Sequence, residues 1–130
     1  MRLVTIGLSL ILAAAFVFFG AQKFGSENII FATIANNSGI GLFEPIIRML
    51  TGAAELATAA LLLLPVTRRL GAVAGLIILL GAIGFHLSPW LGISPEGIGP
   101  GLFYMALAMF AGLIVLNVLL KDTPLFGRDN

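Results

Sequence analysis

The sequence predicts an all-α membrane fold, in which one domain, residues 1–130, forms an antiparallel bundle of four transmembrane helices. Three observations lead to this fold. Hydrophobic residues make up 59% of the chain and charged residues only 10%, against about 25% charged residues in a typical soluble domain. Four apolar segments are each long enough to cross a bilayer. Basic residues are concentrated in the segments that alternating spans place on one side of the membrane.

The composition also limits the functions that the chain can have. A chain this short cannot bury so much apolar surface in a soluble core, because surface-to-volume scaling limits the core of a small domain. The lipid bilayer is therefore its predicted partner. A net charge of +1 without a cluster of Lys and Arg argues against a nucleic-acid partner. The absence of cysteine excludes a thiolate nucleophile, an iron–sulfur cluster and Cys-ligated zinc.

The first two spans have clear limits. Residues 3–22 carry no charge, and at about 1.5 Å per residue they match a hydrocarbon core about 30 Å thick. The alternative is a cleaved signal peptide, because Arg2 precedes the apolar run, but this run exceeds the roughly 7 to 15 residues of a signal peptide. The second span covers residues 45–64, because Pro45 suits the first position of a helix and Pro65 cannot continue one.

The other two spans cover residues 70–87 and 101–120, which no charged residue interrupts. Between the first two spans, the apolar segment 28–35 predicts a short helix that lies in the membrane interface. The segment 36–39 (NNSG) predicts a turn. Because the connection between the second and third spans is short, these spans are expected to run antiparallel.

Basic residues predict the orientation of the bundle. Antiparallel spans place both chain termini, and the connection between the second and third spans, on one side of the membrane. That side carries Arg2, Arg68, Arg69, Lys121 and Arg128, whereas the opposite side carries Lys23 and Arg48. The positive-inside rule therefore places both termini in the cytoplasm.

Ionisable residues occur within the spans, where a charged side chain costs roughly 2.5 to 3.5 kcal/mol at the centre of the bilayer. The helical rise places Glu55 about 13 Å from the cytoplasmic end of its span, near the midplane. Arg48 and His86 lie about 24 Å from the cytoplasmic ends of their spans, in the outer half. Lys23 closes the first span at the outer boundary, where the alternative is an interface anchor that extends to the headgroups.

Small residues share a helical face with these polar residues. Helix association in lipid depends on small residues because lipid provides no hydrophobic drive between helices. On the second span this face consists of Arg48, Gly52, Glu55 and Ala59, and on the third it consists of Gly71, Gly75, Ala82 and His86. Both faces are therefore expected to point into the bundle.

The predicted site is a ligand-binding polar network in the outer half of the bundle. Its residues are Lys23, Arg48, Glu55 and His86. The alternative is an internal ion pair that only fixes helix register. No metal is expected, because one histidine and one intramembrane carboxylate are too few ligands, and no residue is predicted to be catalytic.

Four segments of the chain resemble the DoxX-like membrane proteins, namely 20–24 (GAQKF), 52–56 (GAAEL), 65–68 (PVTR) and 81–86 (GAIGFH). The resemblance implies a four-helix protein of the bacterial inner membrane, with Lys23, Glu55 and His86 at the polar positions of the family. Some relatives are associated with quinone-linked oxidation of sulfur compounds or with membrane oxidoreductase complexes. The resemblance therefore implies quinone as the candidate cofactor, and a membrane or cytoplasmic redox protein as the candidate partner.

Three functions are compatible with these features. The leading hypothesis is an auxiliary subunit of a membrane redox system, without catalytic activity of its own, whose outer-half pocket binds an amphipathic molecule such as a quinone. Any activity would be that of an oxidoreductase subunit. The second hypothesis is a proton- or cation-coupled transporter that uses Glu55 and works as a homo-oligomer. The third is a structural bundle that recruits partners through Arg68, Arg69 and the C-terminal tail.

Overall fold

Helices form all of the regular structure in the part of the chain that the computed structural model describes, residues 2–26 and 28–127, where no strand occurs. Five α-helices follow one another in this part, namely α1 (Arg2–Gln22), α2 (Ile29–Ser38), α3 (Ile46–Leu63), α4 (Arg68–Leu87) and α5 (Gly101–Leu119). A short 3-10 helix, Gly41–Phe43, precedes α3. Arg128, one of the basic residues that predict the orientation, lies outside the described residues.

Four of these helices, α1, α3, α4 and α5, are long and apolar enough to cross a membrane, which indicates an integral membrane protein. Each of these helices begins and ends within two residues of the predicted limit, although the apolar stretch that contains α3 begins earlier, at Gly41. The largest difference is at the start of α4, which begins at Arg68 instead of residue 70. Pro45 is the residue that precedes α3, not its first residue, because α3 begins at Ile46.

The remaining helix, α2, lies in the loop between α1 and α3, where the sequence predicts a short helix. The side chain of Asn28 caps it by accepting hydrogen bonds from the backbone N–H groups of Ile30 and Phe31. The helix continues to Ser38, so the turn predicted at 36–39 is wrong for its first three residues. It ends at Gly39, whose φ of 75° is a left-handed conformation that glycine adopts without a steric penalty.

A central core lies between the four long helices. Phe16 of α1, Leu62 of α3, Ala72 of α4 and Leu113 of α5 are all fully buried within it. Because α1 also supplies Leu12 and Ala13 to the core, the first span is an integral helix of this fold. Most remaining apolar side chains on the long helices are exposed, as expected of surfaces that face lipid.

Glycines bring the backbones of α1 and α3 into contact. A Cβ atom added to Gly52 would lie 2.8 Å from Lys23 Cβ and 3.0 Å from the Gly20 carbonyl oxygen. The face of the second span that carries Gly52 and Glu55 is buried, so the prediction that it points into the bundle is confirmed. No packing role was predicted for Gly20, although it is the partner of Gly52 in this contact.

Candidate functional site

One end of the bundle contains a cavity of about 400 Å³. All four long helices and α2 line it, and this volume is within the range of about 300 to 1,000 Å³ for small-molecule sites. Four of its lining side chains are polar, namely Lys23, Thr51, Glu55 and His86, and the others are apolar or glycine. A ligand that fits this cavity is therefore mostly apolar with a polar group.

Helix α2 forms the roof of the cavity. Its residues Phe31 and Ile34 line the cavity, and they pack with Phe43 and Leu91 in a cluster, here called the roof cluster, whose members are each at most 7% exposed. Two hydrogen bonds hold the ends of α2. Asn37 Nδ2 donates to the Trp90 carbonyl oxygen at 2.8 Å, and the backbone N–H of Asn28 donates to Glu44 Oε2 at 3.2 Å.

An ion pair between Lys23 and Glu55 lies in the wall of the cavity. Lys23 Nζ is 2.6 Å from Glu55 Oε1, and the side chains of the two residues are 13% and 8% exposed. The contact is an ion pair without hydrogen-bond geometry, because Oε1 has no hydrogen-bond partner among the described residues. Lys23 Nζ also donates to the Phe19 carbonyl oxygen at 3.2 Å, which is one of the unpaired carbonyls at the C-terminal end of α1.

Arg48 holds the segment that carries Lys23. Its Nη1 donates to the carbonyl oxygens of Lys23 and Gly25 at 2.6 and 2.7 Å, and its Nη2 donates to that of Ser26 at 3.3 Å. Its Nε donates to Glu44 Oε1 at 2.6 Å. Arg48 is only 1% exposed, and its guanidinium donates hydrogen bonds to three backbone carbonyls and one carboxylate.

His86 lies in the cavity wall at the end of α4. Its Nδ1 is 3.0 Å from the Gly92 carbonyl oxygen, and since a carbonyl only accepts, Nδ1 carries a proton. Nε2 makes no hydrogen bond to any described residue. In the neutral imidazole, Nε2 is therefore an acceptor that is available to a ligand.

The structure brings together three of the four predicted site residues. Lys23, Glu55 and His86 line the cavity, whereas Arg48 does not and instead fixes the backbone beside it. The alternative in which Lys23 extends to the headgroups does not fit, because its ammonium points to Glu55. The sequence predicted a short helix at 28–35 but not that this helix forms the roof of the cavity. The apolar residues of this segment were the signal that could have indicated it.

Within the described residues, no three His, Asp or Glu side chains come close enough to hold a metal ion. Comparisons with protein families, with curated proteins and with solved structures find no match to this chain. The resemblance to the DoxX-like proteins therefore stays a prediction. The candidate site consequently rests on its own geometry.

Proposed function

We propose that the protein binds a small amphipathic molecule, of which a quinone is the best candidate, and that it serves a membrane redox system as an auxiliary subunit. One observation carries this proposal. An apolar cavity of about 400 Å³ has an ion pair, Lys23 with Glu55, and a free imidazole nitrogen of His86 in its wall. Ligand sites commonly combine an apolar lining with a few polar groups that orient the ligand.

The polar groups of the cavity suit the head of a quinone or quinol. An ammonium has three donors; in Lys23 one donates to the Phe19 carbonyl oxygen, and the ion pair with Glu55 takes up the space around a second. The third can donate to a quinone carbonyl oxygen. His86 Nε2 can accept from the hydroxyl of a quinol, so the cavity offers a partner to both redox forms.

The same geometry weighs against the alternative functions. A transporter that exchanges a proton at Glu55 needs a carboxylate that is free to change partners, whereas Lys23 lies 2.6 Å from this one. A purely structural bundle needs no cavity at the level of its buried ion pair. We therefore retain ligand binding as the proposed function.

We further propose that the chain is a DoxX-like protein of the bacterial inner membrane, with antiparallel spans and both termini in the cytoplasm. The resemblance of its four segments supports the family, and the excess of basic residues at one end of the bundle supports the orientation. In this orientation the cavity lies in the outer half of the membrane.

Quinone binding can be measured through Trp90, the single tryptophan of the chain. Its ring centroid is 6.4 Å from that of Phe85, and Phe85 lines the cavity. A long-chain benzoquinone, titrated into the purified protein in lipid nanodiscs, is expected to quench Trp90 fluorescence in a saturable manner. Glu55→Gln removes the carboxylate that positions the Lys23 ammonium, and His86→Phe removes the Nε2 acceptor. Each should weaken binding by about tenfold or more, since hydrogen bonds to charged or buried partners contribute about 1 to 3 kcal/mol.

Glu96→Gln is the matched control, because Glu96 is an exposed carboxylate in the loop before α5 and does not line the cavity. It should bind quinone as the unmodified protein does. Unsaturable quenching, or equal affinity in all variants, would show that the cavity is not a quinone site. Helical circular dichroism of each variant identifies any loss of affinity that comes from misfolding.

A further inference from the structure

The seam between α3 and α4 is closed at one end and open beside the cavity. Near the turn that joins the helices, a Cβ atom added to Gly71 would lie 2.9 Å from Leu62 N. Farther along α4, a Cβ atom added to Gly81 would meet no atom within 4 Å. The α3 and α4 backbones are therefore in close contact near the turn, whereas open space lies beside Gly81, which lines the cavity.

Exposed residues border this opening and line the cavity at the same time. Leu50 on α3 and Ile77 on α4 are 65% and 64% exposed, and both are lining residues. Ala54 and Gly81 are also exposed lining residues, on the same two helices. The cavity is thus continuous with the lateral, apolar surface of the bundle, which faces lipid in a membrane.

Among the residues that the structure describes, the roof offers no comparable opening. Ile34 is 1% exposed and Phe31, Phe43 and Leu91 are each 7% exposed, so the roof cluster separates the cavity from the aqueous side. A polar molecule would have to cross this apolar layer. An apolar molecule dissolved in the bilayer can instead approach through the seam.

We propose that the α3–α4 seam is a lateral portal, with Gly81 as its threshold, through which a chain-bearing lipid enters the cavity from the bilayer. Its polar head lies at Lys23 and His86, and its chain extends back through the seam among the acyl chains. The inference rests on the proposed function for the chemistry of the head, and it adds the chain and the route.

The size of the cavity is consistent with this arrangement. A volume of about 400 Å³ is near the lower limit for ligand sites, which is enough for a head group and insufficient for a long chain as well. The exposed lining residues at the seam are apolar or glycine, so a chain in the portal contacts a mainly apolar surface.

Gly81 is suited to a test because a side chain there meets no neighbour. Gly84 is exposed on the same helix, also meets no atom within 4 Å and does not line the cavity. Gly81→Phe should therefore obstruct the portal, and Gly84→Phe is its matched control. Both place an aromatic side chain on an exposed surface of α4, where packing does not prevent it.

The chain contains no cysteine, so one introduced thiol reports access to the cavity. Ala82→Cys places it on a partly buried lining residue. In nanodiscs at mildly alkaline pH, where thiolate forms, a long-chain N-alkylmaleimide is expected to label this thiol faster than a sulfonated, membrane-impermeant maleimide. Adding Gly81→Phe should slow the alkyl reagent by about tenfold or more, since an obstructed route lowers the association rate.

Adding Gly84→Phe should leave the labelling rate within about twofold of the parent variant, since that residue lies outside the route. Equal slowing by the two substitutions, no slowing by Gly81→Phe, or faster labelling by the sulfonated reagent would overturn the portal. The labelling does not depend on quinone binding. The quinone titration could fail while Gly81→Phe still slows labelling. That combination would refute the proposed head group and leave the portal intact.

Discussion

At the scale of single residues, the site depends on two neighbouring ion pairs with different roles. Lys23 and Glu55 face the cavity, whereas Arg48 and Glu44 hold the backbone next to it. Removing one partner of a buried pair is costly because the remaining charge has lost its counter-ion, whereas replacing both can be nearly neutral. The contribution of the cavity pair can therefore be separated into ligand binding and stability.

The stability part is tested by Glu55→Gln and by the double variant with Lys23→Met and Glu55→Met. The single substitution leaves a buried ammonium without its carboxylate. We expect the free energy of unfolding to fall by about 2 kcal/mol, which is less than the cost of about 3 to 5 kcal/mol for breaking a fully enclosed pair. The double variant should recover most of that loss. Chemical unfolding in mixed micelles measures both.

The exposed Glu96 again provides a control, because Glu96→Gln should change the free energy of unfolding by less than about 0.5 kcal/mol. If the double variant is less stable than Glu55→Gln, then the pair is a net stabilising interaction. That result would contradict the expectation that the double variant recovers most of the lost stability.

At the scale of helices, contact between α1 and α3 positions the cavity pair. Gly20 and Gly52 let the two backbones touch, and this contact places Lys23 beside Glu55. Arg48 then fixes the turn after α1 through three carbonyl oxygens. Cationic side chains near a helix C-terminus are favourable because they satisfy its unpaired carbonyls and its dipole.

Gly52→Ala tests this contact. The new Cβ atom would lie 2.8 Å from Lys23 Cβ and 3.0 Å from Gly20 O, and overpacking of this kind costs about 1 to 3 kcal/mol. We expect a lower midpoint of unfolding together with weaker quinone quenching, because Lys23 must move. Thermal unfolding in detergent and the Trp90 titration measure the two effects.

Gly7→Ala is the matched substitution within α1, because a Cβ atom there would meet nothing within 4 Å. Alanine favours helix over glycine by up to about 1 kcal/mol, so Gly7→Ala should be neutral or stabilising. If the two variants unfold alike, the α1–α3 contact does not constrain the position of Lys23.

At the scale of the whole molecule, the roof and the portal make the two ends of the bundle different. The end with α2 holds the cavity and its ionisable side chains, whereas the opposite end holds Arg68 and Arg69, whose side chains donate to the Leu62 and Leu120 carbonyl oxygens. Two residues that predict the orientation thus also cap the C-terminal ends of α3 and α5. Their side chains therefore stabilise helix ends, in addition to contributing to the excess of basic residues from which the orientation is predicted.

The proposed orientation can be tested with single cysteines at exposed residues of the two ends. Asn36→Cys in α2 should react with a membrane-impermeant maleimide added to intact spheroplasts, because the proposed orientation places α2 on the outer side. Phe126→Cys, at a residue that is 75% exposed near the C-terminus, should react only after the membrane is permeabilised. The reverse pattern would refute both the orientation and the outer position of the cavity.

By itself the sequence determined the four spans, because bilayer thickness sets the apolar length and lipid requires each backbone to satisfy its own hydrogen bonds. It also identified Lys23, Glu55 and His86 as unusual, since ionisable groups are costly in lipid. Only the tertiary structure decided which partner each one has. Lys23 meets a carboxylate 32 residues away, and Asn37 of α2 bonds to a carbonyl 53 residues away. Such partners depend on how helices rotate and approach one another, which local patterns do not specify.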